Sequence, residues 1–384
     1  MKMTEELENT EVTSEITDDE VIHVSTGDQV DKDYMVDFVN LFPELQFSGD
    51  LTSFENFIND LQYEDAIVAI DSLSISDKGM VKVNNQEYSM FDTFLDGLFK
   101  LTGLPAKTGS VLSAKELAQD LNWLFNRSDE VCRVRFLTLP NEEKTLYSVF
   151  KPTPKGIKYP LNHVQFFKIY KEVLGSNAFR GAQLTKEFLS IQCYKETGLD
   201  NELINAYGYD LTNGETSKCL PLSIEAFVEF KGHDYVTIVP PNANRAARFK
   251  VATDAEDLIN LYTKCLQNVE WDFEALRNRV ALMQTTTLTR TKIGHIFRNV
   301  SGLKTRSKAD IFGDWFIMIE DGDELIMTQE PKSDDDLKDF FVLEPFFRVL
   351  DHEDSEDIIS LENRRKIQKS IGENLRYSNP VWSL

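Results

Sequence analysis

The 384-residue sequence predicts an α+β fold of antiparallel strand pairs with packed helices, preceded by a disordered acidic N-terminal tail. Three observations carry that expectation. Segments with period-two alternation come in adjacent pairs, VCRVRFLTL with KTLYSVFK and LSIEAFVEF with DYVTIVP, instead of alternating singly with helices. Apolar residues at helical spacing follow N-terminal capping patterns. The apolar and charged shares, 41% and 27%, are those of a chain that buries an ordinary core.

Taken in order, residues 1–33 are Glu, Asp, Thr and Ser with few large apolar groups, and bury too little surface to offset the entropy of ordering. Residues 34–250 read as the α+β core domain, and 251–384 as a mainly helical region with one hairpin. The core opens with the amphipathic pieces DYMVDFVNLF and SFENFINDLQ. AIVAIDSLSIS and MVKV then read as a strand pair, the second ending at an Asn84-Asn85 turn.

Ser89 with Asp92 has capping-box spacing, and Phe91, Phe94, Leu95, Leu98 and Phe99 follow on one helical face until Gly103 and Pro105. A second box, Ser113 with Glu116, opens a helix striped by Leu117, Leu121, Leu124 and Phe125. PNEE turns the hairpin of VCRVRFLTL and KTLYSVFK. Pro160 is placed to start the helix LNHVQFFKIYKEVLG, which stops at Gly175. Lys231-Gly232-His233 joins two strands. Thr253 with Glu256 leads a helical region, broken near Trp271, to about Met283.

Beyond it come a helical patch around Ile293, Ile296 and Phe297 and the basic loop SGLKTRSK. A hairpin around Asp321-Gly322 and helices in SDDDLKDFF and DSEDIISLENRRKIQKSIGENL, separated by Pro345, complete the chain.

Several chemistries lack their signatures. Cys132, Cys193, Cys219 and Cys265 form no CxxC pair, so they read as small core residues in a reducing compartment. The five histidines are isolated and no HExxH occurs, so no metal or other cofactor is expected. Lys107-Thr108 in GLPAKTGS lacks P-loop spacing. The acidic runs Asp321, Asp323, Glu324 and Asp334 to Asp336 suit a hairpin tip and a helix first turn better than a cation. No apolar run is long enough to span a membrane, and MKMTEELENTEV has no signal-peptide h-region, so the expected location is cytoplasmic.

The charge is segregated. The net charge is −23, yet no Asp or Glu lies between Lys144 and Lys171 or between Arg277 and Lys308. Single-strand binders combine cations that track phosphates with aromatic faces that stack on bases. Around the first window, Arg133, Arg135, Lys151, Lys155 and Lys158 are candidate phosphate contacts, with Tyr147 and Tyr159 as stacking groups. Around the second, Arg245, Arg248, Arg290, Lys292, Arg298, Lys304 and Arg306 offer forked donors. The bland reading is that these aromatics are core and that the cations dock on the chain's own acidic segments.

The helix ending GLPA, the helix DLNWLFN, the strands CRVRF and LYSVFK, and the segment NGETSKCLPLSIEAFVEF together resemble the phage/plasmid-like family of unknown function, over residues 88–250. The chain departs from the family where a Cys-Asn-Gly turn and an Arg/His cluster are usual: FKGHDYVTIVP and NRAARFK stand there. The resemblance implies a mobile-element origin and an infected bacterial cytoplasm, and carries no catalytic residues. The expected function is a non-enzymatic accessory protein that binds single-stranded or unwound nucleic acid, its acidic tail engaging a protein partner. The alternative is a phage structural or host-takeover protein that assembles, also with itself, through charge-complementary surfaces.

Overall fold

The computed structural model describes residues 22–23, 39–105, 108–109, 111–150, 152–153, 156–157, 161–175, 179–214, 222–233, 235–238, 248–249, 255–268, 273–285, 317–321, 324–329, 344–351 and 360–374. The chain is α+β, and every strand pair in its sheets is antiparallel. Strands β1 (Ile22–His23) and β2 (Leu45–Ser48) come first, then helix α1 (Leu51–Asp60), whose N-cap Asp50 accepts from the backbone N–H groups of Thr52 and Ser53.

Next come β3 (Gln62–Ala69), β4 (Ser74–Ile75), β5 (Val81–Val83) and β6 (Gln86–Tyr88). The expected pairing of AIVAIDSLSIS with MVKV forms only at the end of the first segment, where β4 pairs with β5. β3 pairs with the later strand β7 (Val131–Thr138), while β4, β5 and β6 make a separate small sheet. Asn84 and Asn85 both adopt positive φ, 50° and 67°, the conformation a tight two-residue hairpin requires.

Helix α2 (Asp92–Thr102) ends at Gly103, φ 76°, as its spacing predicts. Its capping box is absent, because tertiary contacts take both members. Asp92 accepts from the Phe42 N–H and pairs with Lys186, and Ser89 bonds Thr145. Helix α3 (Ala114–Phe125) carries the complete Ser113–Glu116 box.

β7 continues into β8 (Thr145–Phe150), whose register jumps from Arg135↔Ser148 to Phe136↔Leu146. β9 (Pro152–Thr153) and β10 (Gly156–Ile157) pair with each other. Helix α4 (His163–Leu174) starts at an Asn162–Gln165 capping box rather than at Pro160, and stops at Gly175.

The central strands follow: β11 (Phe179–Leu184), β12 (Leu189–Thr197), β13 (Ile204–Asn213), β14 (Leu222–Phe230), β15 (Tyr235–Ile238) and β16 (Arg248–Phe249). They complete an eight-stranded sheet ordered β1-β2-β11-β12-β13-β14-β15, with β16 also on β14. Gly208 sits where a Cβ would lie 2.0 Å from the Cys193 carbonyl oxygen, so only glycine allows β12 and β13 to approach there.

The C-terminal part contains α5 (Ala255–Asn268), α6 (Phe273–Thr285), the hairpin β17 (Ile317–Asp321) and β18 (Glu324–Gln329), α7 (Glu344–Asp351) and α8 (Leu361–Asn374). Pro345 lies in the first turn of α7, where its missing N–H costs nothing, rather than between helices. The Ile293 patch and SDDDLKDFF lie outside the described residues. No described helix is long and apolar enough to cross a membrane.

Among the described residues two apolar cores stand out. One face of the main sheet, through Leu45, Phe47, Leu184, Ile191, Leu211 and Ile224, packs against Phe54 of α1, Phe166 and Tyr170 of α4, and Tyr262 of α5. The smaller core joins α2 and α3 to β5, β7 and β8 through Val81, Phe94, Leu98, Leu121, Val134 and Leu146.

Candidate recognition cleft

The other face of the main sheet is polar. Residues alternating with the apolar set, among them Gln183, Ser190, Gln192, Asp210, Thr212 and Glu225, are buried there. Helix α8 covers part of this face and projects Arg365 into it. The guanidinium lies 3.0 Å from Asp210 and 3.6 Å from Glu225, and donates to Ser190 and Thr212 at 2.7 and 2.5 Å. Lys369, one turn later, pairs with Glu225 at 2.6 Å. Burial alone would raise the pKa of Asp210, but the charges of Arg365 and Lys369 outweigh it and hold the carboxyl below its ordinary value. Burial and the neighbouring Arg365 push the Lys369 ammonium down.

Beside this cluster the polar face opens into a cleft of about 760 Å³. Its floor is Gln46 of β2 and Gln183 of β11, which stand directly opposite each other in register. Gln183 is 3% exposed, and its Oε1 has no hydrogen-bond partner among the described residues. Arg180, Asn205 and Glu229 form one wall. Glu229 accepts from Arg180 Nε at 2.6 Å, Asn205 Nδ2 at 2.6 Å and the Tyr194 hydroxyl at 3.2 Å. Burial works to raise its pKa, and the hydrogen bonds from Arg180 and Asn205 outweigh it, so the group is held below the usual glutamate value.

The facing wall is the Lys231-Gly232-His233 turn with the end of α7 and the start of α8. His233 Nδ1 lies 2.9 Å from each Asp351 oxygen, and its ring stacks on Phe347 at 4.0 Å with planes 5° apart. Phe347 in turn meets Phe230 edge-on at 5.2 Å. These contacts fix α7 against the β14–β15 turn and set the width of the opening. Among the described residues, the lining brings the cations Arg180, Lys231 and Arg364 together with two carboxylates, Glu229 and Asp351.

The residues singled out in sequence fall elsewhere. Arg135 is corrected: it is 1% exposed and grips Asp65 of β3 with two bonds, 2.7 and 2.9 Å, so it is not available to a phosphate. Arg133 holds the same carboxylate at 3.2 Å. Tyr147 is also corrected, from stacking group to core, because the β8 bulge turns it inward and leaves it 1% exposed. Lys144 pairs with Glu64 at 2.6 Å, Lys171 with Glu55 at 2.5 Å, and Arg277 lies 3.6 Å from Glu196.

Lys151, Lys155, Lys158, Tyr159, Arg245, Arg290, Lys292, Arg298, Lys304 and Arg306 lie outside the described residues. Arg248 is placed as β16 backbone alone. Among the described residues no group of His, Cys, Asp and Glu is arranged to hold a metal ion.

Sequence reasoning passes over Arg180, Gln183, Glu229, Asp351 and Arg364. The signal for the neighbouring cluster was present in LENRRKIQKS, where Arg365 shares a helix face with Leu361 and Gln368, an arginine on the side that must be buried. No family model, curated protein or solved structure matches the chain, so the cleft is interpreted on its own geometry.

Proposed function

We propose that the protein works by binding, as a non-enzymatic accessory interaction protein of phage type in the bacterial cytoplasm, and that the polar cleft receives an anionic group. The observation that carries this reading is the excess of cations among the described residues of the lining, Arg180, Lys231 and Arg364 over Glu229 and Asp351, in a chain of net charge −23. A molecule that repels anions at long range needs such a local site to hold one, and forked guanidinium donors suit an oxyanion.

Assembly through complementary charge is favoured over a phosphate-tracking groove. Around the first acid-free window, Asp65, Glu64 and Glu55 already engage Arg133, Arg135, Lys144 and Lys171. Binding of single-stranded nucleic acid rests on the remaining candidates, Lys151, Lys155, Lys158, Tyr159 and the second window. Sedimentation and anisotropy of a labelled single-stranded oligonucleotide, each at low and high salt, separate the two readings. Salt-sensitive association abolished by Arg364→Ala supports the cleft. Oligonucleotide binding that is unchanged in Arg364→Ala sinks it and returns the function to the basic windows.

A further inference from the structure

The small sheet β3-β7-β8 has two edges of different character. Along β8 the edge is closed, because Leu146 donates to the Ser89 carbonyl and accepts from the Phe91 N–H, both at 2.9 Å. Along β3 it is open. Ile70 donates to the Glu130 carbonyl at 2.9 Å just beyond the ladder, and the register of β3 on β7 runs unbroken from Gln62↔Thr138 to Ala69↔Val131. Bonding alternates along an antiparallel strand, so Glu64, Ala66 and Val68 bond β7, and the backbone groups of Asp65, Ile67 and Ala69 point away from it. Those groups have no hydrogen-bond partner among the described residues. Water reaches them: the Asp65 side chain, held by Arg135, is 21% exposed, yet the residue as a whole is exposed, so its backbone is the accessible part. Ile67 is 61% exposed on the same strand.

Edge strands are ordinarily guarded by a proline, a bulge or an unpaired charge. β3 has no proline and no bulge, and its carboxylates are met locally, Glu64 by Lys144 and Asp65 by Arg133 and Arg135. A chain of net charge −23 repels its own copies, but not along this strip. The strip is also self-complementary. Turned antiparallel about a two-fold axis at Ile67, it sets Asp65 opposite Ala69 of the partner subunit and Ile67 opposite Ile67 of the partner subunit, so no carboxylate faces another. We propose that two copies of the chain join β3 to β3 in this register, forming one continuous sheet across a homodimer. Each opposed pair exchanges two backbone hydrogen bonds, and each Ile67 covers the other. Because β8 is closed, growth stops at two copies. The edge shares no residue with the polar cleft and does not depend on what the cleft receives.

Sedimentation velocity of the full chain from about 1 to 300 µM tests it, because so short a contact buries less than a standard interface and implies a dissociation constant on the order of 10 µM. Salt should leave the dimer unchanged or tighten it by screening the overall repulsion, the opposite of association through complementary charge. Ile67→Pro should weaken it at least about tenfold, since proline removes an N–H that only the second copy uses and leaves the β7 ladder intact. Ile67→Val should dimerise like the native chain, with melting curves confirming that both variants are folded. Amide hydrogen exchange on the native chain needs no variant. Asp65, Ile67 and Ala69 should exchange about fivefold more slowly at the high concentration, while Ala66 and Val68 are protected at every concentration.

A monomer throughout this range overturns the proposal, as does a dimer that Ile67→Pro leaves intact or one that forms without slowing the Asp65, Ile67 and Ala69 amides. Self-association lost in Arg364→Ala but not in Ile67→Pro belongs to the cleft and sinks the β3 pairing alone. A dimer sensitive to Ile67→Pro and indifferent to Arg364→Ala supports the β3 pairing, whatever the cleft binds.

Discussion

The two faces of the main sheet use the same strands and opposite chemistry. On one, Phe54, Phe166 and Tyr262 pack on Leu184, Ile191 and Leu211 with no demand for exact pairing. On the other, Arg365 is buried among Asp210, Glu225, Ser190 and Thr212, where each polar group depends on a specific partner. An apolar layer tolerates substitution in proportion to lost volume, whereas a buried ionic layer fails when one member is removed. The apolar face gives the fold its bulk, and the polar face fixes where α8 sits and leaves a wet cleft beside it.

The sharpest test removes one residue from each face. Arg365→Met should cost about 3 to 5 kcal/mol in denaturant unfolding, because it removes the guanidinium that the buried Asp210 carboxylate faces at 3.0 Å. Phe54→Ala should cost a similar amount, about 3 to 5 kcal/mol, from the cavity left behind. The faces then separate on rescue. Adding Asp210→Asn to Arg365→Met should recover about 1 kcal/mol or more, while no single polar change restores Phe54→Ala. Equal, additive losses in both backgrounds would remove the distinction.

A smaller effect concerns the polar residues near the apolar side. Arg135→Ala should lower stability by about 2 kcal/mol, since it strips a two-bond partner from Asp65. Oligonucleotide anisotropy should not change in this variant; a specific loss of binding there would reinstate Arg135 as a contact.

Acid should affect the two faces in different windows. Burial first, and then the charge of Arg135, push the His163 pKa from 6.5 to about 3. Below pH 6.5 the unfolded chain takes a proton that the folded chain refuses, so this contribution is lost as pH falls from 6.5 toward 3, at up to about 1.4 kcal/mol per pH unit. Asp210, whose pKa is lowered from 3.8, loses its contribution only below that value. Urea midpoints between pH 7 and pH 5 should therefore slope in the native chain and flatten in His163→Gln. A slope that persists in the variant assigns the acid sensitivity elsewhere.

The smallest effect is one residue from the largest. Lys366 lies on the outer surface of α8 and pairs with Glu362 in water. Lys366→Ala should cost no more than about 0.5 kcal/mol. A cost close to that of Arg365→Met would show that α8 is held by its outer charges and not by the sheet beneath it.

The α+β class and the two helices of the smaller core were legible because their signals are local: Gly103 stops α2, and Ser113 and Glu116 bond each other within one turn. Ser89 with Asp92 has the same spacing and fails, because Phe42 and Lys186 claim Asp92 from 50 and 94 residues away in sequence. Adjacency in sequence gives the right partner for β4, which pairs with β5, and not for β3, which pairs with the distant β7. Strands β11 to β13 were not singled out. A strand buried on both faces, with serine, glutamine and aspartate on one of them and a bulge in its register, lacks the alternation of apolar with solvated residues. The cleft has no sequence motif because its walls meet only when β11, the β14–β15 turn, α7 and α8 come together.

During synthesis, the strands of the main sheet leave the ribosome well before residues 361–374. An apolar face uncovered for that interval would invite association between nascent chains. This one presents amides, hydroxyls and carboxylates, which water can solvate until Arg365 arrives to dock on Asp210 and Glu225. Helix α8 therefore completes the polar layer, because a chain without residues 361–374 lacks the guanidinium that Asp210 and Glu225 share.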